Sequence, residues 1–350
     1  MKKKNIKVTI LLILIILSCF IQAEKRNFSA KPDKDKTIKR ISNFLDSCWV
    51  NREKDLRLAL DYSFRALKLL DSTNIIELKP KTLNYIGMIY RKIGRLEESH
   101  KYHVKALSIG SKIKDSLQIG YAYTNLAVYY FMNSSISIAL ENLLVAKEIF
   151  DELNNEVGIS YCFDYLGRIY TYGGEYDKAL NYLQKSANIR YKMKNTAGYA
   201  HTLTNIGFVY YNMKKFDEAI TYYNEALNTL RKYNLQEKNS EIFKRFGELY
   251  IATKEYEKAL FNSNKSLSIN KKIKNQAGEI TDLNRLGLIY LKLKLYDKCK
   301  KALLTANNLS ETSKFRNERM QNYYYLFKFY STTNNLKNAN KFLYKYTTLR

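Results

Sequence analysis

A tyrosine returns every forty residues along most of this chain, at Tyr90, Tyr130, Tyr170, Tyr210, Tyr250, Tyr290 and Tyr330. A single globular core does not impose such a rhythm, whereas a stack of equivalent units does, because every unit meets its neighbour in the same way. Three residues before the first six of these tyrosines stands a small residue: Gly87, Ala127, Gly167, Gly207, Gly247 and Gly287. Twelve residues after the small position come Ala139, Ala179, Ala219, Ala259 and Ala339, with Ser99 and Cys299 in the same slot. Seven further on come Ala66, Ala106, Ala146, Ser186, Ala226, Ser266 and Ala306.

Within one unit, Thr196 to Leu235, an apolar run passes through Ala200, Leu203, Ile206, Gly207, Val209 and Tyr210. After a polar break at Lys214 and Lys215, a second run passes through Phe216, Ala219, Ile220, Tyr223, Ala226 and Leu227. Both runs have helical spacing, so the unit is predicted to be a helix–turn–helix hairpin. A glycine inside a helix costs about 1 kcal/mol relative to alanine, and its recurrence at one phase therefore predicts close approach of the two helices. The recurrent tyrosine is expected to fill the space between neighbouring hairpins. Asp115, Asn155, Asn195 and Asn275 recur at one phase as N-cap residues.

The pattern Leu/Ile-Gly-x-x-Tyr, then Tyr/Phe-x-x-Ala, then Ala or Ser seven later, resembles the tetratricopeptide repeat in a forty-residue form, as found in exported bacterial proteins. The resemblance covers about Ile41 to Arg350 and implies an all-α fold, a right-handed α-solenoid of about eight stacked hairpins. Residues 41–79 read as a degenerate first repeat, with Ser47 and Val50 at the glycine and tyrosine phases and the chain's one tryptophan, Trp49, between them. Residues 320–350 read as an atypical last repeat, with Phe327 at the glycine phase and Tyr346 at the small second-helix phase. The array ends at Arg350 without a polar capping helix, which predicts a partner, self-association or a missing continuation.

Residues 1–23 read as a secretory signal peptide. Lys2, Lys3, Lys4 and Lys7 form a basic head, and the apolar run Val8 to Ile21 is shorter than the roughly 20 residues of a membrane span. Ile21-Gln22-Ala23 before Glu24 resembles an ordinary cleavage site, and Ile16-Leu17-Ser18-Cys19 resembles a lipobox that would make the product a lipoprotein through Cys19. The expected location is the periplasm or cell envelope. Residues 24–40 read as a flexible polar leader.

The sequence holds 59 basic against 33 acidic residues, but the lysines are spread over every repeat instead of clustering, so nucleic acid is not an expected partner. Membrane contact is expected only through a lipid anchor or a missing C-terminal span. His100 and His103 share a helix face, read as exposed, without a third metal ligand at the usual spacing. Cys162 and Cys299 read as small packing residues. No nucleophile, phosphate loop or metal motif is recognisable, so no enzyme activity, metal or cofactor is expected.

Binding is the expected work. The resemblance implies that the first helix of each hairpin lines a concave groove, where the residue two before the small position looks inward. That phase reads Tyr85, Asn125, Tyr165, Asn205, Arg245, Arg285 and Tyr325. Neighbouring groove phases add Asn84, Thr124, Asp164, Thr204, Lys244 and Asn284, and, one turn on, Arg168, Phe208 and Glu248. In peptide-binding tetratricopeptide arrays an asparagine at this phase grips the peptide main chain, which Asn125 and Asn205 match. Lys or Arg there grips carboxylates, which Arg245 and Arg285 match. The implied partner is a protein or peptide segment with acidic groups, met by a groove that becomes basic toward the C-terminal half. The alternative is the ligand-sensing region of a truncated membrane sensor, a histidine kinase or helix-turn-helix regulator.

Overall fold

The computed structural model describes residues 34–349 apart from 53–54 and 312–314, with only the backbone of residue 237. The signal peptide and residues 24–33 of the leader lie outside the described residues. Among those described there are sixteen α-helices, paired in chain order into eight hairpins. The first three hairpins join α1 (Lys34–Asn51) to α2 (Leu56–Thr73), α3 (Lys79–Lys92) to α4 (Leu96–Ile113), and α5 (Ser116–Met132) to α6 (Ile136–Glu152). The middle two join α7 (Glu156–Tyr172) to α8 (Tyr176–Lys192) and α9 (Thr196–Asn212) to α10 (Phe216–Lys232). The last three join α11 (Ser240–Ala252) to α12 (Tyr256–Lys272), α13 (Gln276–Lys292) to α14 (Tyr296–Glu311), and α15 (Arg316–Thr332) to α16 (Leu336–Leu349). Because α1 begins at Lys34, with Thr37 and Ile41 buried, the end of the segment read as a leader is helical and packed.

The helix boundaries follow from short polar side chains. Asn155 Oδ1 accepts from the Gly158 N–H at 2.7 Å, and Asp115, Asn195 and Asn275 cap α5, α9 and α13 in the same way. Helices α2 to α13 and α15 end on a residue in the left-handed region, and such residues recur at intervals of twenty, from Asn74 and Gly94 through Lys114, Ser134 and Asn154 to Lys294, with Asn334 two intervals on. There the chain turns back so that, for example, the Asn155 N–H donates to Phe150 O at 2.8 Å. The backbone thus repeats every twenty residues, half the period of the side-chain pattern.

The glycine phase is a socket for the residue sixteen positions on. A Cβ added at Gly207 would lie 2.6 Å from Tyr223 Cε1 and 3.2 Å from Ala219 O. Gly167 receives Leu183 likewise, and Gly87 receives His103, which is buried and not exposed as its spacing suggested. The recurrent tyrosines pack both within and between hairpins: Tyr90 meets Phe64 of the preceding hairpin at 6.2 Å and Tyr130 meets His100 of the preceding hairpin at 6.0 Å, while others stack on the second helix of their own hairpin. Tyr170 stacks on Tyr182 at 5.6 Å and Tyr210 on Tyr222 at 5.3 Å, and Tyr90 with Tyr102 and Tyr330 with Phe342 repeat the pairing. Cys48, Cys162 and Cys299 are buried, and burial pushes their thiols up to about 11, 12 and 12.

Successive first helices pack against one another as well as against their own second helices, while the second helices stand further apart. The array therefore curves with its first helices inside. It curves far enough to touch itself: Lys274 Nζ lies 2.8 Å from Asp55 Oδ2, and the Phe315 ring fills the space that a Cβ on Gly94 would need. These contacts join positions 219 and 221 residues apart.

Candidate functional site

The concave face is built by α3, α5, α7, α9, α11, α13 and α15, and the phase two residues before the small position does not behave as one set. Tyr85 is half-buried and stacks on Trp49 at 5.3 Å, joining the first hairpin to the second. Asn125 is half-buried and donates to the Tyr121 carbonyl of its own helix at 2.9 Å. Its Oδ1 has no protein donor among the described residues. Tyr165 is half-buried, with the Arg168 guanidinium 4.9 Å from its ring centre.

Asn205 lies deeper, 7% exposed, and donates to Asp164 at 3.2 Å. Asp164, 2% exposed, also accepts from Arg190 Nη1 and from the Thr202 hydroxyl, each at 3.1 Å, and His201 Nδ1 lies 3.6 Å away. Burial alone would raise the Asp164 carboxyl, but Arg190 and then His201 outweigh it and hold it well below the ordinary carboxylate range. The network ties α7, α8 and α9 together, so Asn205 is a structural link between hairpins before it is anything else.

The two arginines at this phase are already paired. Arg245 Nε lies 3.0 Å from Glu241 and its Nη1 3.0 Å from Glu248, while its guanidinium sits 3.8 Å over the Phe208 ring. Arg285, 6% exposed, pairs with Asp282 at 2.8 Å. Lys244 reaches Glu241 at 3.1 Å. Lys244, Arg245 and Arg285 are therefore each paired with a carboxylate of their own helix, and not the free cations that a phase-by-phase reading suggests. Nor do the smaller groove residues face a ligand. Thr124 and Thr204 are buried and donate to the Gly120 and Ala200 carbonyls of their own helices at 2.9 and 2.8 Å. Asn84 and Asn284 are buried too, donating to the Gln118 and Glu318 carbonyls of the next first helix, each at 3.1 Å.

What the concave side does present is a row of rings across three hairpins. Phe131 of α5 meets Tyr172 of α7 at 5.3 Å, and Tyr172 meets Phe208 of α9 at 6.0 Å. Phe208 in turn meets Tyr211 at 6.0 Å and carries Arg245 of α11. Tyr172 is 64% exposed. Only Phe208 of this row stood out in the sequence. Phe131, Tyr172 and Tyr211 lie four or five residues after the small position, and an aromatic recurring at that phase was the available signal.

Tetratricopeptide repeat models match the chain over residues 81–113, 164–196, 198–272 and 283–313. The chain carries tetratricopeptide repeats. No curated protein matches it in sequence. Among solved structures, a Rap protein complexed with competence and sporulation factor is 12% identical with a TM-score of 0.64, covering 90% of this chain and 97% of that one. A Rap conjugation gene regulator of the plasmid pLS20, in complex with the Phr* peptide, is 16% identical with a TM-score of 0.59, covering 73% and 70%. A signal transduction ATPase with a tetratricopeptide repeat sensor from Pyrococcus horikoshii is 19% identical with a TM-score of 0.57, covering 84% of this chain. The present chain spans 45% of that protein's length. At these identities the likeness is one of fold, an all-α solenoid of helical repeats.

Proposed function

We propose that this tetratricopeptide array holds an extended peptide segment of a partner protein in its concave groove, without catalysing a reaction. The observation that carries the reading is the row of Phe131, Tyr172, Phe208 and Tyr211, with the half-buried Asn125 amide on the same inner face. Flat rings bury the side chains of an extended segment at low entropic cost, and the Asn125 carbonyl oxygen is available to a main-chain N–H. The Rap complexes with a peptide or factor add fold-level support only.

The test is selection of heptapeptides from a displayed random library with the mature chain, followed by titration against a Tyr172→Ala, Asn125→Ala variant. Neither residue is buried, so the variant keeps its melting profile and loses at least tenfold in affinity. Peptides that bind wild type and variant alike would place the binding surface elsewhere. We also propose that the array works after export, on the strength of the basic head and apolar run of residues 1–23. A product starting at Glu24, or lipidated at Cys19, is the expected N-terminus, and an intact Met1 in the envelope-free fraction would refute export.

A further inference from the structure

The fifth and sixth hairpins meet differently from the rest. The phase that carries Asp115, Asn155, Asn195 and Asn275 carries Leu235 before α11, and a short 3₁₀ turn, Gln236–Lys238, stands where that helix would begin. Helix α11 starts late, at Ser240, and α10 touches it less than any other second helix touches the first helix that follows. A cleft of about 580 Å³ opens there on the outer face, with α10 and α12 as walls and α11 as floor. Its lining lacks a ring. In four hairpins the recurrent tyrosine stacks on an aromatic residue twelve positions on, but Asn262 stands at that position after Tyr250. Asn142 and Ala302 also break the pattern, although in the third hairpin His100 meets Tyr130 instead. Tyr250 has one ring contact among the described residues, Phe246 at 5.9 Å one turn back on its own helix, and both line the cleft. On α12, Phe261 is 59% exposed at a phase that is polar in the seven other hairpins, from Asp61 to Lys341. Lys265 Nζ lies 4.4 Å from the centre of this ring and 5.3 Å from that of Phe243. Lys265 and Arg231 have no carboxylate partner among the described residues. Glu257 is the one carboxylate in the lining, and Lys258 is already paired with Glu255. Asn239 Oδ1, in the same lining, is buried without a donor.

We propose that this cleft is a second docking surface, on the convex side, which takes an aromatic side chain presented between acidic residues by a segment of a partner protein. A ring entering beside Tyr250 fills the place that Tyr182 and Tyr222 fill in their own hairpins, and Phe261, which packs against no ring of its own array, closes over it. The cleft is open between α10 and α12, so the chain on either side of the ring stays outside. A tyrosine hydroxyl or a main-chain N–H of that segment is the kind of donor that Asn239 lacks. Arg231 and Lys265 outweigh Glu257 at the rim, and this excess selects acidic flanks. The concave groove takes no part, so the inference stands apart from the peptide-binding reading.

Four fluorescein-labelled heptapeptides, with a central Tyr or Leu flanked on both sides by Glu or by Gln, are titrated by anisotropy against the mature chain. Two variants block the cleft without emptying a core. Asn262→Tyr restores the ring found at Tyr182 and Tyr222, and Phe261→Lys places at an exposed position the residue found at Lys301 and Lys341. Both are expected to melt with wild type or above it. The Tyr peptide flanked by Glu is expected to bind about tenfold tighter than its Leu or Gln counterpart, as a buried aromatic anchor does. Each cleft variant is expected to lose that gain, Phe261→Lys in spite of its added positive charge. The groove variant Tyr172→Ala, Asn125→Ala should change it less than about twofold. Equal binding of the Tyr and Leu peptides, or of the Glu and Gln peptides, would overturn the proposal. So would binding untouched by Asn262→Tyr, or no binding of any peptide. Loss in the groove variant with none in Asn262→Tyr would seat the segment in the concave groove and overturn the convex surface alone.

Discussion

Replacing Asp164 by Asn leaves Arg190 charged, 3% exposed and without a counter-ion between α7, α8 and α9. At the observed 3.1 Å separation the direct attraction is about 5 kcal/mol for an effective dielectric of about 20. Desolvation of the pair cancels part of this in the wild type, but removal of one partner exposes the full penalty of the other, typically about 3–5 kcal/mol. Asp164→Asn is therefore expected to destabilise the fourth and fifth hairpins by about 3 kcal/mol or more. Adding Arg190→Met, which removes the orphaned charge and fills similar space, recovers at least ~2 kcal/mol of that loss. Urea unfolding of the four chains of the cycle measures the coupling, and hydrogen exchange across α7 to α9 localises it, since an array can open one hairpin at a time. The pH dependence has a fixed sign. The folded carboxyl is held below its unfolded value of about 3.9, so its contribution is complete above that pH and is lost as pH falls from about 4 toward the folded value. The gap between wild type and Asp164→Asn must narrow on acidification. A single variant within about 1 kcal/mol of wild type at pH 7, or a double variant no better than the single, would refute the reasoning.

Gly207→Leu drives side-chain atoms into Tyr223 and the Ala219 carbonyl and should cost about 3 kcal/mol in urea unfolding, as overpacking does. The pair Gly207→Ala with Tyr223→Leu reproduces Ala127 and Leu143 of the third hairpin and should stay within about 1.5 kcal/mol of wild type; a pair as damaging as Gly207→Leu would argue against the socket. Gly94 has φ +77° and the Phe315 ring where its Cβ would go, so Gly94→Ala should separate the second hairpin from the eighth. Small-angle scattering then gives a larger radius of gyration than wild type, and an unchanged radius would mean that this contact does not hold the curl. Lys214, at φ +61°, occupies a left-handed position. Lys214→Gly relieves roughly 1 kcal/mol of backbone strain and should raise the unfolding midpoint, whereas a lower midpoint would mean that chain entropy outweighs strain there.

The hairpins were legible because their determinants are local and repeated. Asn155 and Gly167 act within one unit, and a side chain that acts within one unit leaves the same letter in each copy. What stayed hidden in the fold was of two kinds. The twenty-residue backbone period was masked because the left-handed position accepts lysine, asparagine, serine or glycine, so no single letter marks it. The self-contact of the array depends on curvature summed over several hairpins, and the sequence around Asp55, Gly94, Lys274 and Phe315 carries no mark of it.

The groove was less legible than the fold, for a related reason. Phase assigns a side chain to a face, but whether a cation on that face is free depends on which carboxylate the same helix or its neighbours offer. Arg245 and Arg285 look like carboxylate grips until Glu241, Glu248 and Asp282, three or four residues away on their own helices, are counted against them. Those partners could have been read from spacing alone. A reading by phase therefore finds the surface that meets a ligand, while the chemistry of that surface is set by what each inward-facing residue has already bonded.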